Sequence, residues 1–185
     1  MIRILALCSA LLFPAAAQAD EIEEALTAAL EAYADGDVAF ALEELDFARA
    51  KLLGMKADAL TAFLPEAPEG WTRELDTDIG QSLGLMGGGS GAAADYIPPD
   101  GGEGVFITLM ADSPMVTGMA AMISNAGVMG LPVERVGRQK FVVQDEQMTA
   151  LIANRVLVQA ESSDTEAMMT LLELIDFGAL GTWGL

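Results

Sequence analysis

Methionine is the residue type whose clustering in this sequence could support chemistry. Met110, Met115, Met119, Met122 and Met129 lie within twenty residues, and Met115, Met119 and Met122 fall on one face of a predicted helix. Thioether sulfur is a soft ligand that selects Cu(I). The same spacing is typical of a helix face packed on a sheet, because methionine fills irregular gaps in cores. A Cu(I)-binding or metal-buffering site at Met115, Met119 and Met122 is therefore the alternative to a packing role.

The side chains on which most enzymes depend are missing. The sequence contains no histidine, and its single cysteine, Cys8, lies in the N-terminal segment. Without imidazole or thiolate there is no Ser-His-Asp or Cys-His pair and no ordinary zinc site. We therefore expect a protein that is not an enzyme and holds no cofactor. A hydrolase that uses two carboxylates stays as a third hypothesis, because glycoside hydrolysis needs only a pair of acids.

The first nineteen residues have the pattern of a secretory signal peptide (1–19). Arg3 provides a short positive region, residues 4–13 are apolar but too few to span a bilayer, and Ala17-Gln18-Ala19 matches a small-residue cleavage site. Cleavage leaves a chain that starts at Asp20 and has no cysteine, and hence no disulfide. This pattern predicts a secreted, periplasmic protein without stable membrane insertion after the signal peptide is removed.

The chain is strongly acidic, with 28 acidic and 9 basic side chains and a formal net charge of −19. All the acids lie after Ala19, so loss of Arg3 with the leader makes the balance one charge more negative. Such a charge repels nucleic acid and anionic lipid surfaces and keeps a protein soluble. We expect no nucleic-acid partner, and a charge of this sign attracts cations or a basic partner.

Residues 20–64 have a helical periodicity that is interrupted once. Gly36 is free to adopt the left-handed conformation after a helix, Asp37 can cap the next helix, and Pro65 ends it. The apolar positions are Ile22, Ala25, Leu26, Ala29, Leu30 and Tyr33, then Val38, Ala41, Leu45, Ala48, Leu52, Met55 and Ala59. The pattern predicts an αα-hairpin whose apolar face packs on the rest of the protein.

Residues 65–104 are rich in proline and glycine, which predicts an irregular connector with a glycine-rich loop and a β-hairpin. A flexible loop beside an aromatic anchor is typical of a binding surface. The interaction surface predicted on this ground consists of Trp71, Met86, Gly87, Gly88 and Gly89.

Residues 105–185 form the main part of an α+β domain. A nearly continuous apolar strand over 105–110 is followed by a helix that Ser113 caps, and the capping box that starts at Ser163 opens a second helix. Short strands are predicted at 93–97, 133–136, 140–143, 149–153 and 156–160. This order favours an N-terminal αα-hairpin followed by an antiparallel sheet with helices packed on one face.

Residues 33–42 resemble the turn and second helix of one tetratricopeptide unit. The α+β part resembles the PsbP-like α/β/α sandwich. Most of the mature chain is also similar to a group of uncharacterised secreted bacterial proteins with an N-terminal helical hairpin. The likeness to this group of secreted proteins is based on Leu64-Pro65, Gly70-Trp71, Ala111-Asp112-Ser113 and Asn154-Arg155. These resemblances imply a fold and carry no activity. The function that we expect is therefore a non-catalytic periplasmic interaction or accessory protein, with an unknown periplasmic protein as its partner.

Overall fold

The computed structural model describes residues 15–76, 78–85 and 88–184. The chain divides into two compact units, residues 1–52 and 53–185. The sequence pattern placed the end of the helical hairpin at residue 64, and residues 53–64 group with the larger unit. The reason is that Leu60 and Leu64 are buried in the core cluster of the larger unit.

The helical hairpin has the predicted form. Helix α1 (Ala15–Asp35) and helix α2 (Val38–Thr61) are joined at Gly36, whose φ is 82°. The Gly36 amide donates to the carbonyl of Tyr33 (3.2 Å), and the Asp37 amide donates to the carbonyl of Ala32 (2.9 Å). This pair of hydrogen bonds is the one that closes a Schellman turn. The Asp37 carboxylate then accepts the amide of Phe40 at 3.1 Å, and so caps α2 as expected.

The larger unit contains a seven-stranded antiparallel sheet of order β1-β2-β3-β7-β6-β5-β4. The strands are β1 (Thr72–Asp76), β2 (Ser90–Ile97), β3 (Val105–Ala111), β4 (Val133–Val136), β5 (Gln139–Gln144), β6 (Gln147–Ile152) and β7 (Val156–Glu161). The helices are α3 (Ile79–Leu85), α4 (Pro114–Asn125), α5 (Thr165–Glu173) and α6 (Phe177–Thr182). The α+β class, with a helix pair followed by an antiparallel sheet, is confirmed.

Within residues 65–104, strand β2 corresponds to the strand predicted at 93–97, whereas β1 and α3 were not expected in a stretch predicted to be irregular. Strand β1 has a polar sequence without apolar alternation and pairs with β2 on one side only, as an edge strand. In β2, Gly91 lets α3 approach closely: a Cβ at this position would lie 2.5 Å from Leu83 Cδ1. Strand β1 is thus held by its backbone pairing with β2, and α3 by its close packing against Gly91, and neither is marked by a long apolar periodicity in the sequence.

Helices cover both faces of the sheet, whereas the sequence pattern placed them on one face. One face packs against α5, α6 and the end of α2, in a cluster that includes Leu109, Met168 and Leu172. Met110, the neighbour of Leu109 along β3, belongs to a second cluster with Leu83 of α3. Since successive strand residues point to opposite faces, the two clusters lie on opposite sides. The continuous apolar run of β3 is the sequence signal for this double covering.

The two later helices begin at capped positions. Ser113 accepts the amide of Val116 and precedes Pro114 at the first helical position, as predicted. Helix α5 is capped by Asp164, which accepts the amide of Ala167 at 3.0 Å, one residue later than the sequence indicated. Among the residues that the structure describes, no helix combines the length and the apolar character needed to cross a bilayer.

Candidate functional site

The helical hairpin buries small side chains between its two helices. In α1 the buried positions are Ile22, Ala25, Ala29 and Ala32, and over residues 38–52 of α2 they are Ala41 and Ala48. Alanine has little apolar surface to remove from water, and it lets two helices approach closely. The seam therefore uses few of the large apolar side chains that the hairpin carries.

The large apolar side chains of the hairpin are exposed instead. Six of them form one stripe on each helix, with helical spacing: Leu26, Leu30 and Tyr33 on α1, and Val38, Leu45 and Leu52 on α2. Helix α2 exposes Phe40, Leu42, Phe47 and Met55 as well, outside this stripe. Their exposed fractions range from 45% at Leu26 to 71% at Tyr33. The sequence assigned all six, together with the alanines, to a single apolar face. The structure separates them, because the stripe of each helix is too wide to be covered by one neighbouring helix.

Both stripes lie on the same side of the hairpin. At 100° per residue, each stripe is rotated from the buried seam of its helix in the same sense, by roughly 50–90°. In an antiparallel pair, equal rotations point to the same side. Glu21 and Lys51 are rotated in the other sense, and their ion pair of 2.6 Å marks the opposite side. We call the surface formed by Leu26, Leu30, Tyr33, Val38, Leu45 and Leu52 the hairpin face.

The hairpin is also acidic. Between residues 20 and 52 the sequence has ten carboxylates and two basic side chains, Arg49 and Lys51. Glu23 lies seven residues before Leu30, and Asp46 directly follows Leu45, so exposed carboxylates border the hairpin face on both helices. An apolar surface with a negative border is suited to a partner that is apolar and positively charged.

The residues predicted as an interaction surface are placed differently. Trp71 is half-buried and packs against the main core cluster, and Gly88 and Gly89 are buried. A Cβ at Gly89 would lie 2.7 Å from the Cβ of Ser113, so the backbone here is packed against the start of α4. Met86 and Gly87 lie outside the described residues. Binding at these five positions stays a prediction.

The three methionines of the copper hypothesis lie on α4. Met119 packs against the second core cluster, beside Val116 and Ile123, and is half-buried. Met115 is 42% exposed and Met122 is half-buried. The methionine side of α4 is therefore only partly covered by the rest of the protein. Cu(I) binding at Met115, Met119 and Met122 stays a prediction.

A polar cluster that the sequence did not reveal joins several elements of the larger unit. Lys56 Nζ lies 2.6 Å from one oxygen of Asp112, and Arg155 Nη2 lies 3.4 Å from the other. Arg155 also donates a hydrogen bond to the backbone carbonyl of Trp183 at 3.3 Å. Lys56 Nζ lies 5.1 Å from the centroid of the Trp183 ring, within the range of a cation–π interaction. We call Lys56, Asp112, Arg155 and Trp183 the polar corner.

The electrostatics of the polar corner favour the ionised form of Asp112. The hydrogen bond from Lys56 and, to a lesser extent, Arg155 lower the pKa of Asp112, against the opposing effect of burial. Asp112 has a φ of 55°, an uncommon value for a residue other than glycine. The motifs Ala111-Asp112-Ser113 and Asn154-Arg155 were visible in the sequence, but nothing in it shows that the two meet in space.

An open groove of about 720 Å³ lies at another part of the sheet. Its lining carboxylates are Asp95, Glu103, Asp145, Glu146 and Glu161. Glu103 accepts hydrogen bonds from the hydroxyl and the amide of Ser163. Both bonds lower the pKa of Glu103, and the bond from the hydroxyl has the larger effect. Within the described residues, no group of three or more acidic side chains is arranged to hold a metal ion.

Comparison of the chain with protein-family models, with curated proteins and with solved structures gives no match.

Proposed function

We propose that this chain is a non-catalytic accessory protein of the periplasm that binds another protein through its hairpin face. The observation that carries the proposal is the exposure of six large apolar side chains on one side of a two-helix unit. Exposed apolar surface that is contiguous is costly in water and typically marks an interaction site. The larger unit supplies a separate core around its own sheet.

The residue types of the chain also support a role in binding. The residues after the predicted cleavage point include no histidine and no cysteine, and the groove that gathers five carboxylates is open to solvent. The proposed periplasmic location is based on the leader pattern of residues 1–19. Turnover of a substrate by the purified mature protein, with a groove carboxylate indispensable to the rate, would overturn the non-catalytic part.

The proposal is tested by crosslinking in intact cells followed by purification of the tagged protein. The test variant is Leu30→Gln/Leu45→Gln, which keeps helix-forming side chains but removes apolar surface from both stripes. The matched control is Leu174→Gln in the larger unit, where the leucine is 57% exposed. We expect one specific crosslinked protein with wild type and the control, and its loss with the double variant. Equal recovery by all three proteins contradicts a role for the hairpin face.

A further inference from the structure

The geometry and charge of the hairpin face point to its occupant, and this inference rests on the proposed function: we infer that the hairpin face binds a cationic amphipathic helix of another protein.

The shape of the surface selects a helix. The two stripes run along antiparallel helices on either side of a seam of small residues, so they enclose a shallow groove. Val38, Leu45 and Leu52 repeat every seven residues and extend over about 21 Å at 1.5 Å per residue. A third helix packs into such a groove at an axial separation of about 8–10 Å, with its own apolar side chains between the stripes. A partner helix of about four turns matches this length.

The charge of the surface selects a cationic partner. Glu23 and Asp46 are exposed at the borders of the hairpin face, and Arg49, four residues after Leu45, is the basic residue on the same side. Carboxylates outnumber basic side chains ten to two over residues 20–52. A second copy of this chain would bring an equally acidic surface against the first, and an anionic membrane is repelled in the same way. Lysine or arginine beside the apolar stripe of a partner helix meets these carboxylates instead.

The inference is tested with the full mature protein and three labelled peptides of about 18 residues, a length that spans about 27 Å as a helix. The first is built of leucine at helical spacing with lysine elsewhere. The second has the same leucine pattern with glutamate in place of lysine, and the third has the composition of the first in scrambled order. Fluorescence anisotropy measures the affinity of each peptide, and circular dichroism checks that each protein variant is folded.

We expect the lysine peptide to bind and the other two to bind at least about tenfold more weakly. Leu30→Gln/Leu45→Gln should reduce the affinity of the lysine peptide by at least about tenfold, because two leucines that the bound peptide covers are lost, whereas Leu174→Gln should not. Glu23→Gln/Asp46→Asn should weaken binding and reduce its salt dependence. The matched charge control is Glu166→Gln/Glu173→Gln on α5.

Several outcomes overturn the inference. These are equal binding of the scrambled or glutamate peptide, insensitivity to the leucine substitutions, or self-association of the protein that the same leucine substitutions abolish. If the crosslinked protein of the previous experiment is lost with the leucine variant while the lysine peptide fails to bind, the proposed function stands and the cationic helix is wrong. If neither result is obtained, both proposals fall.

Discussion

Asp112 shows how one carboxylate can connect distant parts of a chain. It lies between β3 and α4 and accepts hydrogen bonds from Lys56 near the end of α2 and from Arg155 in the β6–β7 turn. Its φ of 55° is tolerated by asparagine as well as by aspartate, so Asp112→Asn keeps the backbone and removes the charge. We expect Asp112→Asn to lower the free energy of unfolding at pH 7, measured by urea denaturation. Glu173→Gln, on the exposed side of α5, serves as the control.

The same variant predicts a pH dependence. The folded pKa of Asp112 is lowered, chiefly by the hydrogen bond from Lys56. The ionised group therefore contributes stability above its unfolded pKa of about 3.9, and this contribution is lost as the pH falls through the lower folded value. The difference between wild type and Asp112→Asn should be full near pH 7 and should narrow below about pH 4. A difference that stays constant from pH 7 to pH 3 would contradict a role for the ionised carboxylate.

Gly89 is a position where the backbone has no room for a side chain. Its φ is 130°, and a Cβ would lie 2.7 Å from Ser113 Cβ and 3.0 Å from the Ala111 carbonyl oxygen. We expect Gly89→Ala to lower the free energy of unfolding by about 2 kcal/mol or more, from backbone strain and from the clash. Gly101→Ala is the matched control: its φ is 70°, but a Cβ there meets no atom within 4 Å. An equal decrease in the free energy of unfolding for both variants would show that the contact between Gly89 and Ser113 adds nothing to the cost of the substitution.

Among the elements, the helical hairpin contains two glycines with opposite roles, one in the turn between α1 and α2 and one inside α2. Gly36 closes the turn at a φ of 82°, whereas Gly54 lies inside α2, where a Cβ would meet open space. Alanine is the better helix former, so Gly54→Ala should raise the free energy of unfolding by about 1 kcal/mol. Gly36→Ala should lower it by about 1–2 kcal/mol, because alanine is strained in the left-handed conformation. Thermal melts followed by circular dichroism measure both; a stabilised Gly36→Ala variant would contradict the Schellman turn.

Helix α4 is the element on which the copper hypothesis depends. Met119 packs on the second core cluster, which favours packing as the main role of the methionine face. We therefore expect wild type and the Met115→Leu/Met119→Leu/Met122→Leu variant to bind Cu(I) equally weakly in an anaerobic competition titration. Leucine keeps the core volume nearly constant, so the variant should fold. Loss of tight binding in the variant would establish a methionine copper site instead.

At the scale of the whole molecule, the net charge of −19 opposes the compact state. Salt screens this repulsion, since the Debye length falls from about 30 Å at 0.01 M to a few ångströms near 1 M. We expect the melting temperature at pH 7 to rise between about 0.01 M and about 0.5 M NaCl. Near pH 4, close to the sequence pI of about 4.1, the rise should be much smaller. A salt effect of equal size at both pH values would point to a cause other than charge repulsion.

The parts of the fold that the sequence predicted are those with local signals. Gly36 and Asp37 specify the hairpin turn, Ser113 and Pro114 the start of α4, and the apolar run of β3 a strand covered on both faces. Strand β1 has no such signal, because its polar residues contribute backbone pairing at the edge of the sheet. The exposed hairpin face was missed because helical periodicity identifies an apolar stripe without showing how much of it a neighbour covers.

By itself the sequence determined which chemistry the chain has available. It supplies carboxylates and a few basic groups, it has no imidazole, and its only thiol is Cys8 within the leader pattern, since residue types do not depend on folding. Only the tertiary structure decided which apolar side chains are buried and which polar ones meet. The alanine seam, the hairpin face and the contact of Lys56 and Arg155 with Asp112 all depend on distances between residues far apart in the chain, and those distances exist only after packing.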